Sequence, residues 1–156
     1  MAISFDNNYF AVSSSATPYI LIYKRNGDVF TKLSDPSTLP PAASTGAFFS
    51  YNGFYLAVSH STSPYVTIYK RLSDTFTKIP NPTTLPSGNG AGIAISHNDN
   101  YLVVGTSSNP YFEIYKYIPT ASKSTGNEDW LNGIRLGYAK ESGTTGEEKT
   151  VVITHH

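Results

Sequence analysis

The chain has 156 residues, 13% of them aromatic, with 12 Gly, 10 Pro and no Cys. That length suits one domain with a real core, and the lack of Cys excludes a disulfide framework and a thiolate zinc site. Eleven Lys and Arg balance eleven Asp and Glu, so no basic stripe marks a nucleic-acid or anionic-lipid partner.

Tyr, Phe, Val, Ile, Thr and Ser are plentiful where Leu, Glu and Met are sparse, and Gly and Pro recur as punctuation. That balance predicts an all-β chain of short strands joined by turns. Met1 to Asp6 carries neither a basic n-region nor an apolar h-region, which predicts no signal peptide and synthesis in the cytoplasm. No apolar run approaches membrane-spanning length.

In chain order, the first unit sets a pattern that returns twice. Tyr9, Val12 and Pro18 recur as Tyr55, Val58 and Pro64, then as Tyr101, Val104 and Pro110. Ile22-Tyr23-Lys24 recurs as Ile68-Tyr69-Lys70 and Ile114-Tyr115-Lys116. Phe30-Thr31-Lys32 and Thr38-Leu39-Pro40 return once, as Phe76-Thr77-Lys78 and Thr84-Leu85-Pro86. The spacing is 46 residues throughout, without insertion or deletion. Internal repetition of this kind decides the fold.

The middle unit shows what one repeat contains. Strand a is predicted over Gly46 to Ser50, and Asn52-Gly53 supplies the positive φ of a tight turn. Strand b follows over Tyr55 to Ser59, and the polar stretch from His60 to Pro64 turns the chain. Strand c runs over Tyr65 to Lys70, so that Tyr19, Tyr65 and Tyr111 begin it and Tyr23, Tyr69 and Tyr115 end it. Strand d covers Thr75 to Ile79, before a Pro- and Gly-rich crossover from Pro80 to Ala91. Four short antiparallel strands at a period in the forties define a β-propeller blade. Strand c is apolar on both faces, as a blade packed between two others requires.

The expected organisation is three propeller-type four-stranded blades at 1–45, 46–91 and 92–116, the third incomplete. Tyr117-Ile118-Pro119 puts a Pro where its strand d should start, and Pro cannot donate to a ladder. Residues 117–156 form a C-terminal β-hairpin tail, with strand candidates at Ile134 to Ala139 and Lys149 to Thr154. Its apolar residues Trp130, Ile134, Leu136, Tyr138, Val151 and Ile153 are the candidate interface. The tail either completes blade 3 or reaches a neighbouring subunit or particle.

Phe49 to Val58 resembles the opening of WD-repeat-like propeller blades, and Ser63 to Arg71 is similar to the segment that follows in a subgroup found in bacteriophage virion proteins. This likeness covers residues 3 to 116. Gly137 to Glu147 is similar to segments of phage capsid-decoration and other virion surface proteins. The resemblance implies a virion component, made in the host cytoplasm and placed in a capsid decoration or tail. Two departures stand out. Tyr69-Lys70 occupies the place of the family's Trp-Asp pair, and no His-Asp support network is visible, so rigidity must come from packing and Tyr hydroxyl bonds.

No acid–base–nucleophile set converges in the repeats. Asp6, Asp28, Asp35, Asp74 and Asp99 fall in turns, where Asp bonds nearby backbone. His60, whose repeat equivalents are Ser14 and Thr106, reads as a surface residue, and His97, opposite Phe5 and Tyr51, as a turn residue. His155 and His156 make a poor zinc site, and Gly88 to Gly92 lacks the Lys and helix of a phosphate loop. The Tyr residues repeat at fixed blade positions, which argues for packing. Lys24, Lys70 and Lys116 are expected as a solvated ring at one rim. The expectation is a non-enzymatic protein with no catalytic residues, cofactor or metal.

Closed propellers hold about four to eight blades. Three blades predict self-association as a dimer or trimer, together with virion capsid or tail proteins as partners; the alternatives are a tail that caps the open edge, or a chain that is the C-terminal part of a longer propeller. The alternative reading is a propeller-type lectin or adaptor that binds a host-surface glycan or protein.

Overall fold

The computed structural model describes residues 1–116 and the backbone of one further strand, residues 135–138. Its described residues form three four-stranded antiparallel sheets and no helix. Blade 1 comprises β1 (Ala2–Ile3), β2 (Tyr9–Ser13), β3 (Ile20–Asn26) and β4 (Val29–Lys32). Blade 2 comprises β5 (Ser44–Phe49), β6 (Tyr55–His60), β7 (Val66–Leu72) and β8 (Thr75–Lys78). Blade 3 comprises β9 (Gly90–Ile95), β10 (Tyr101–Thr106), β11 (Phe112–Lys116) and β12 (Arg135–Tyr138). Each sheet runs in strict a-b-c-d order.

The third blade is therefore complete as a sheet. β12 pairs antiparallel with β11, joining Glu113 to Tyr138 and Ile114 to Gly137, with a bulge before Tyr115. The edge of β11 is a row of open backbone groups, and a strand from the tail meets it. Leu136 and Tyr138 lie on this strand, whereas Trp130, Ile134, Val151 and Ile153, with the second tail strand, lie outside the described residues.

The innermost strands pack in succession, β1 beside β5 and β5 beside β9. Each blade presents one face to the next. Tyr9, Ala11, Ile20 and Ile22 of blade 1 close on Ala47, Phe49, Leu56, Val58, Tyr69 and Phe76 of blade 2. Tyr55, Ala57, Val66 and Ile68 of blade 2 close on Ile95, Leu102, Val104 and Tyr115 of blade 3. These residues alternate along their strands, so the two-residue period sends one set forward and the other back. All six residues of β6 are buried, as a middle blade demands.

Close approach of blades 2 and 3 needs glycine at position 90. A Cβ on Gly90 would stand 2.7 Å from the Tyr65 carbonyl oxygen and 2.8 Å from Ser59 Cβ. Beside it, Thr45 Oγ1 donates to the Gly90 carbonyl at 2.6 Å.

Candidate functional site

Two kinds of turn repeat through the blades, and they carry most of the polar residues. The a–b turn is the expected four-residue loop, residues 51–54 in blade 2, closed by the Ser50 amide on the Tyr55 carbonyl. Ser4, Ser50 and Ser96 accept at Oγ from the amides of Tyr9, Tyr55 and Tyr101 at 2.8–2.9 Å. The same hydroxyls donate to Asp6, Asn52 and Asn98, whose Oδ1 atoms also accept from the backbone two residues on. Positive φ falls at a single position of each loop, Asn7, Gly53 and Asp99, with values of 58°, 72° and 58°.

These loops bring repeat-equivalent side chains together at one end of the blades. The rings of Phe5 and Tyr51 lie 4.4 Å apart, and those of Tyr51 and His97 lie 3.8 Å apart. All three side chains are exposed. Asp99 ties two of the loops, accepting from the amides of Tyr51 at 2.6 Å and Asn52 at 2.9 Å. His97 is thus a turn residue and also one third of an exposed aromatic cluster. The sequence carries a signal for it, since positions 5, 51 and 97 share one place in the repeat.

The b–c turn corrects two expectations. His60 is fully buried, not a surface residue. Its Nδ1 lies 2.7 Å from the Thr62 carbonyl, which only accepts, so Nδ1 holds the proton. Nε2, 3.0 Å from Thr67 Oγ1, takes the acceptor role. Burial lowers the His60 pKa and so favours the neutral ring. In the other blades Ser14 and Thr106 donate to the equivalent carbonyls of Ala16 and Ser108. His60 therefore does the structural task that a hydroxyl does elsewhere.

The second correction concerns Tyr19, Tyr65 and Tyr111, which end this turn rather than begin strand c. Each has positive φ, 65–67°, and its amide closes the turn onto Ala16, Thr62 or Ser108. Tyr111 is exposed and the other two are partly so. A left-handed conformation is costly for a bulky side chain, so the turn geometry overrides local preference here. Tyr69 and Tyr115, by contrast, are fully buried and pack as expected.

Tyrosine hydroxyls do bond buried and part-buried partners. Tyr9 donates to Asp74 at 2.7 Å, Tyr69 to the Thr38 carbonyl at 2.9 Å, and Tyr115 to Glu113 at 3.0 Å. Burial pushes the Tyr69 phenol far up from its ordinary range. Lys24 is not a free rim cation, because it bonds Asp74 at 2.8 Å, and Arg71 stacks 4.4 Å over the Tyr9 ring. The Lys24 hydrogen bond, then that of Tyr9, holds the Asp74 carboxyl below its usual range.

A cleft of about 380 Å³ opens beside this network, lined by Leu33, Asp35, Asp74 and Phe76 among others. Both of its carboxylates are paired, Asp35 with Lys32 at 2.6 Å and Asp74 with Lys24. Glu113 is a residue the sequence reading passed over. It is fully buried, and its Oε1 accepts from the Ser87 amide at 3.0 Å. A lone acid inside Phe112-Glu113-Ile114-Tyr115 was its signal. Among the described residues, no three His, Asp or Glu side chains gather as a metal site.

No known protein family matches the sequence, and no curated protein matches it. Solved structures do. A protein provisionally assigned as a 6-phosphogluconolactonase from Bacteroides fragilis superposes with a TM-score of 0.67 at 15% identity, over 86% of this chain and 36% of that one. A protein from Lactobacillus plantarum gives 0.66 at 16% identity, over 87% and 39%. The β-propeller domain of Myceliophteria thermophila Cps50 (Swd1) gives 0.63 at 10% identity, over 87% and 43%. The chain spans between a third and a half of the length of these proteins. With the three radially stacked sheets, they define the fold: these are β-propeller blades.

Proposed function

We propose that this is a non-enzymatic β-propeller interaction protein, and in particular a structural component of a phage virion. The observation that supports the broader reading is the use made of its polar groups. His60, Asp35, Asp74 and Glu113 all hold strands and turns, while an aromatic cluster of equivalent residues faces solvent. The virion reading rests on the resemblance of Phe49 to Val58, Ser63 to Arg71 and Gly137 to Glu147 to virion proteins. In it, the protein decorates a capsid or belongs to a tail and acts through many weak contacts, with the tail residues Trp130, Leu136 and Tyr138 nearest the attachment point. The protein is expected to sediment with intact virus-like particles when the two are mixed. Full-length protein that stays in the supernatant at every particle concentration refutes the virion role.

The exposed cluster of Phe5, Tyr51 and His97 favours a second reading, a lectin or adaptor that stacks a sugar ring or an aromatic side chain on this surface. Saturable binding on a glycan array, lost in Tyr51→Ala, would establish it. One of the structural neighbours carries a 6-phosphogluconolactonase assignment, so that substrate is the direct check on the non-enzymatic reading. Purified protein is expected to leave 6-phosphogluconolactone at its spontaneous rate of hydrolysis, and a protein-dependent rate that survives repurification would overturn it.

A further inference from the structure

The contact between blades 1 and 2 is built from a definite set of residues. On the blade 1 side, the Tyr9 hydroxyl and Lys24 Nζ both bond Asp74, at 2.7 and 2.8 Å. On the blade 2 side stand Asp74, Arg71 over the Tyr9 ring, and Phe76 edge-on to it at 6.1 Å. Phe76 is 3% exposed.

Both halves of that set occur a second time, at opposite ends of the array. Blade 3 carries Tyr101 and Lys116 at the positions of Tyr9 and Lys24, on the face pointing away from blade 2. Blade 1 carries Arg25, Asp28 and Phe30 at the positions of Arg71, Asp74 and Phe76, on the face pointing away from blade 2. Phe30 is 53% exposed, and Ile3, the equivalent of buried Phe49, is 52% exposed. Asp28 is exposed, and among the described residues the Arg25 side chain bonds back to the Gly27 carbonyl of its own turn. Independently of what the protein binds, we propose that blade 3 of one copy docks on blade 1 of a second copy, repeating the blade 1–blade 2 contact and closing a six-blade ring from two chains.

Charge and shape both select this occupant. A Tyr hydroxyl and a Lys ammonium at one end meet an exposed carboxylate at the other, and an exposed Phe finds the aromatic ring its twin packs on. Six blades fall within the range that closes, and nine do not. Ring closure also makes the contact heterologous, with blade 3 always meeting blade 1, while the pair keeps two-fold symmetry. The exposed cluster of Phe5, Tyr51 and His97 would then appear twice around one axis.

The test uses the full chain. Sedimentation at micromolar concentration should give twice the 17.0 kDa chain mass. Phe30→Glu buries a lone carboxylate in the contact and should raise the dissociation constant by about thirtyfold or more, the scale of losing a central aromatic anchor. Because Phe30 is exposed in the single chain, the variant should keep its circular dichroism and its melting temperature when dilute. Leu72→Glu, at an exposed site on neither end face, should associate as the parent does. The Cys-free sequence allows a direct check of polarity. Mixed Asp28→Cys and Lys116→Cys proteins should be joined by a short bis-maleimide, and neither protein should be joined to itself. A chain that stays monomeric, an association indifferent to Phe30→Glu, or cross-links only between like positions would each overturn the proposal. A monomer that nevertheless sediments with particles would overturn it while leaving the virion reading intact.

Discussion

β4 and β8 show what position in an array does to a single sequence. Both contain Phe-Thr-Lys at the same place in the repeat, and both pair as outermost strands with their neighbours. Yet every residue of β4 is exposed, while Phe76 of β8 lies in a core between two blades. The sequence of a blade specifies its strands and their two faces, and its burial is conferred by the next blade. A propeller blade is thus a half-finished object whose energetics belong to its contacts.

The most direct way to break the comparison is to truncate both phenylalanines. Phe76→Ala removes a buried ring and should cost about 3–5 kcal/mol of unfolding free energy. Phe30→Ala, in protein dilute enough to be monomeric, should cost less than about 1 kcal/mol, since its ring is half exposed and touches chiefly Phe10. Urea melts of the two variants side by side give the difference. Equal losses would mean that the blade 1 face is covered within the single chain. Gly90→Ala probes the other contact, between blades 2 and 3. The added methyl meets a backbone carbonyl that cannot swing aside, so a loss of about 1–3 kcal/mol is expected in the same assay.

The architecture was legible because its signal is repetition. The 46-residue spacing identifies blades before any strand is assigned, and the alternation in Tyr65 to Lys70 already shows two apolar faces. The tail left two outcomes open, because the period stops at Lys116 and nothing later in the chain says which edge Arg135–Tyr138 will meet. His60 misled for a different reason. Polar neighbours on both sides suggest a surface turn, whereas the ring is buried and bonds Thr67, which the fold brings beside it. Glu113 is similar, since its partner Ser87 comes from the crossover segment. The aromatic cluster was hidden because Phe, Tyr and His share little but their repeat position. Local chemistry is readable where partners are sequence neighbours, as in the Ser-x-Asx turns, and is lost where the fold brings them from a facing strand or a crossover.

A gentler contrast lies among the three b–c turns. Ser14 and Thr106 serve their turns with an uncharged hydroxyl at any pH, but the buried His60 ring takes on a charge when it protonates. Its pKa is lowered in the folded state, so below about pH 6.5, where an unfolded His protonates, the unfolded chain binds more protons and stability falls with pH. Above that value the contribution is fully present. Melting temperature followed from mild alkali to weak acid should decline through this window, and His60→Ser should flatten the decline while lowering the plateau. A slope unchanged in His60→Ser would assign it to other groups.

The smallest effect belongs to Asp74 itself, which takes two partners of unlike kind. Lys24 reaches it across water-exposed surface, with both side chains more than 40% accessible, so their attraction is screened and weak. The Tyr9 hydroxyl reaches it from a ring that is almost wholly buried in the core of blades 1 and 2. That bond is charge-assisted and held in place by the packed ring, so it loses little to screening or side-chain entropy. Lys24→Met should therefore lower stability only slightly, and the loss should vanish in high salt. Tyr9→Phe should lower it more, and the loss should persist in high salt. A double-mutant cycle of each with Asp74→Asn separates the two couplings. A larger, salt-sensitive coupling for Lys24 than for Tyr9 would show that surface charge, rather than the buried hydroxyl, joins blade 1 to blade 2 at this point.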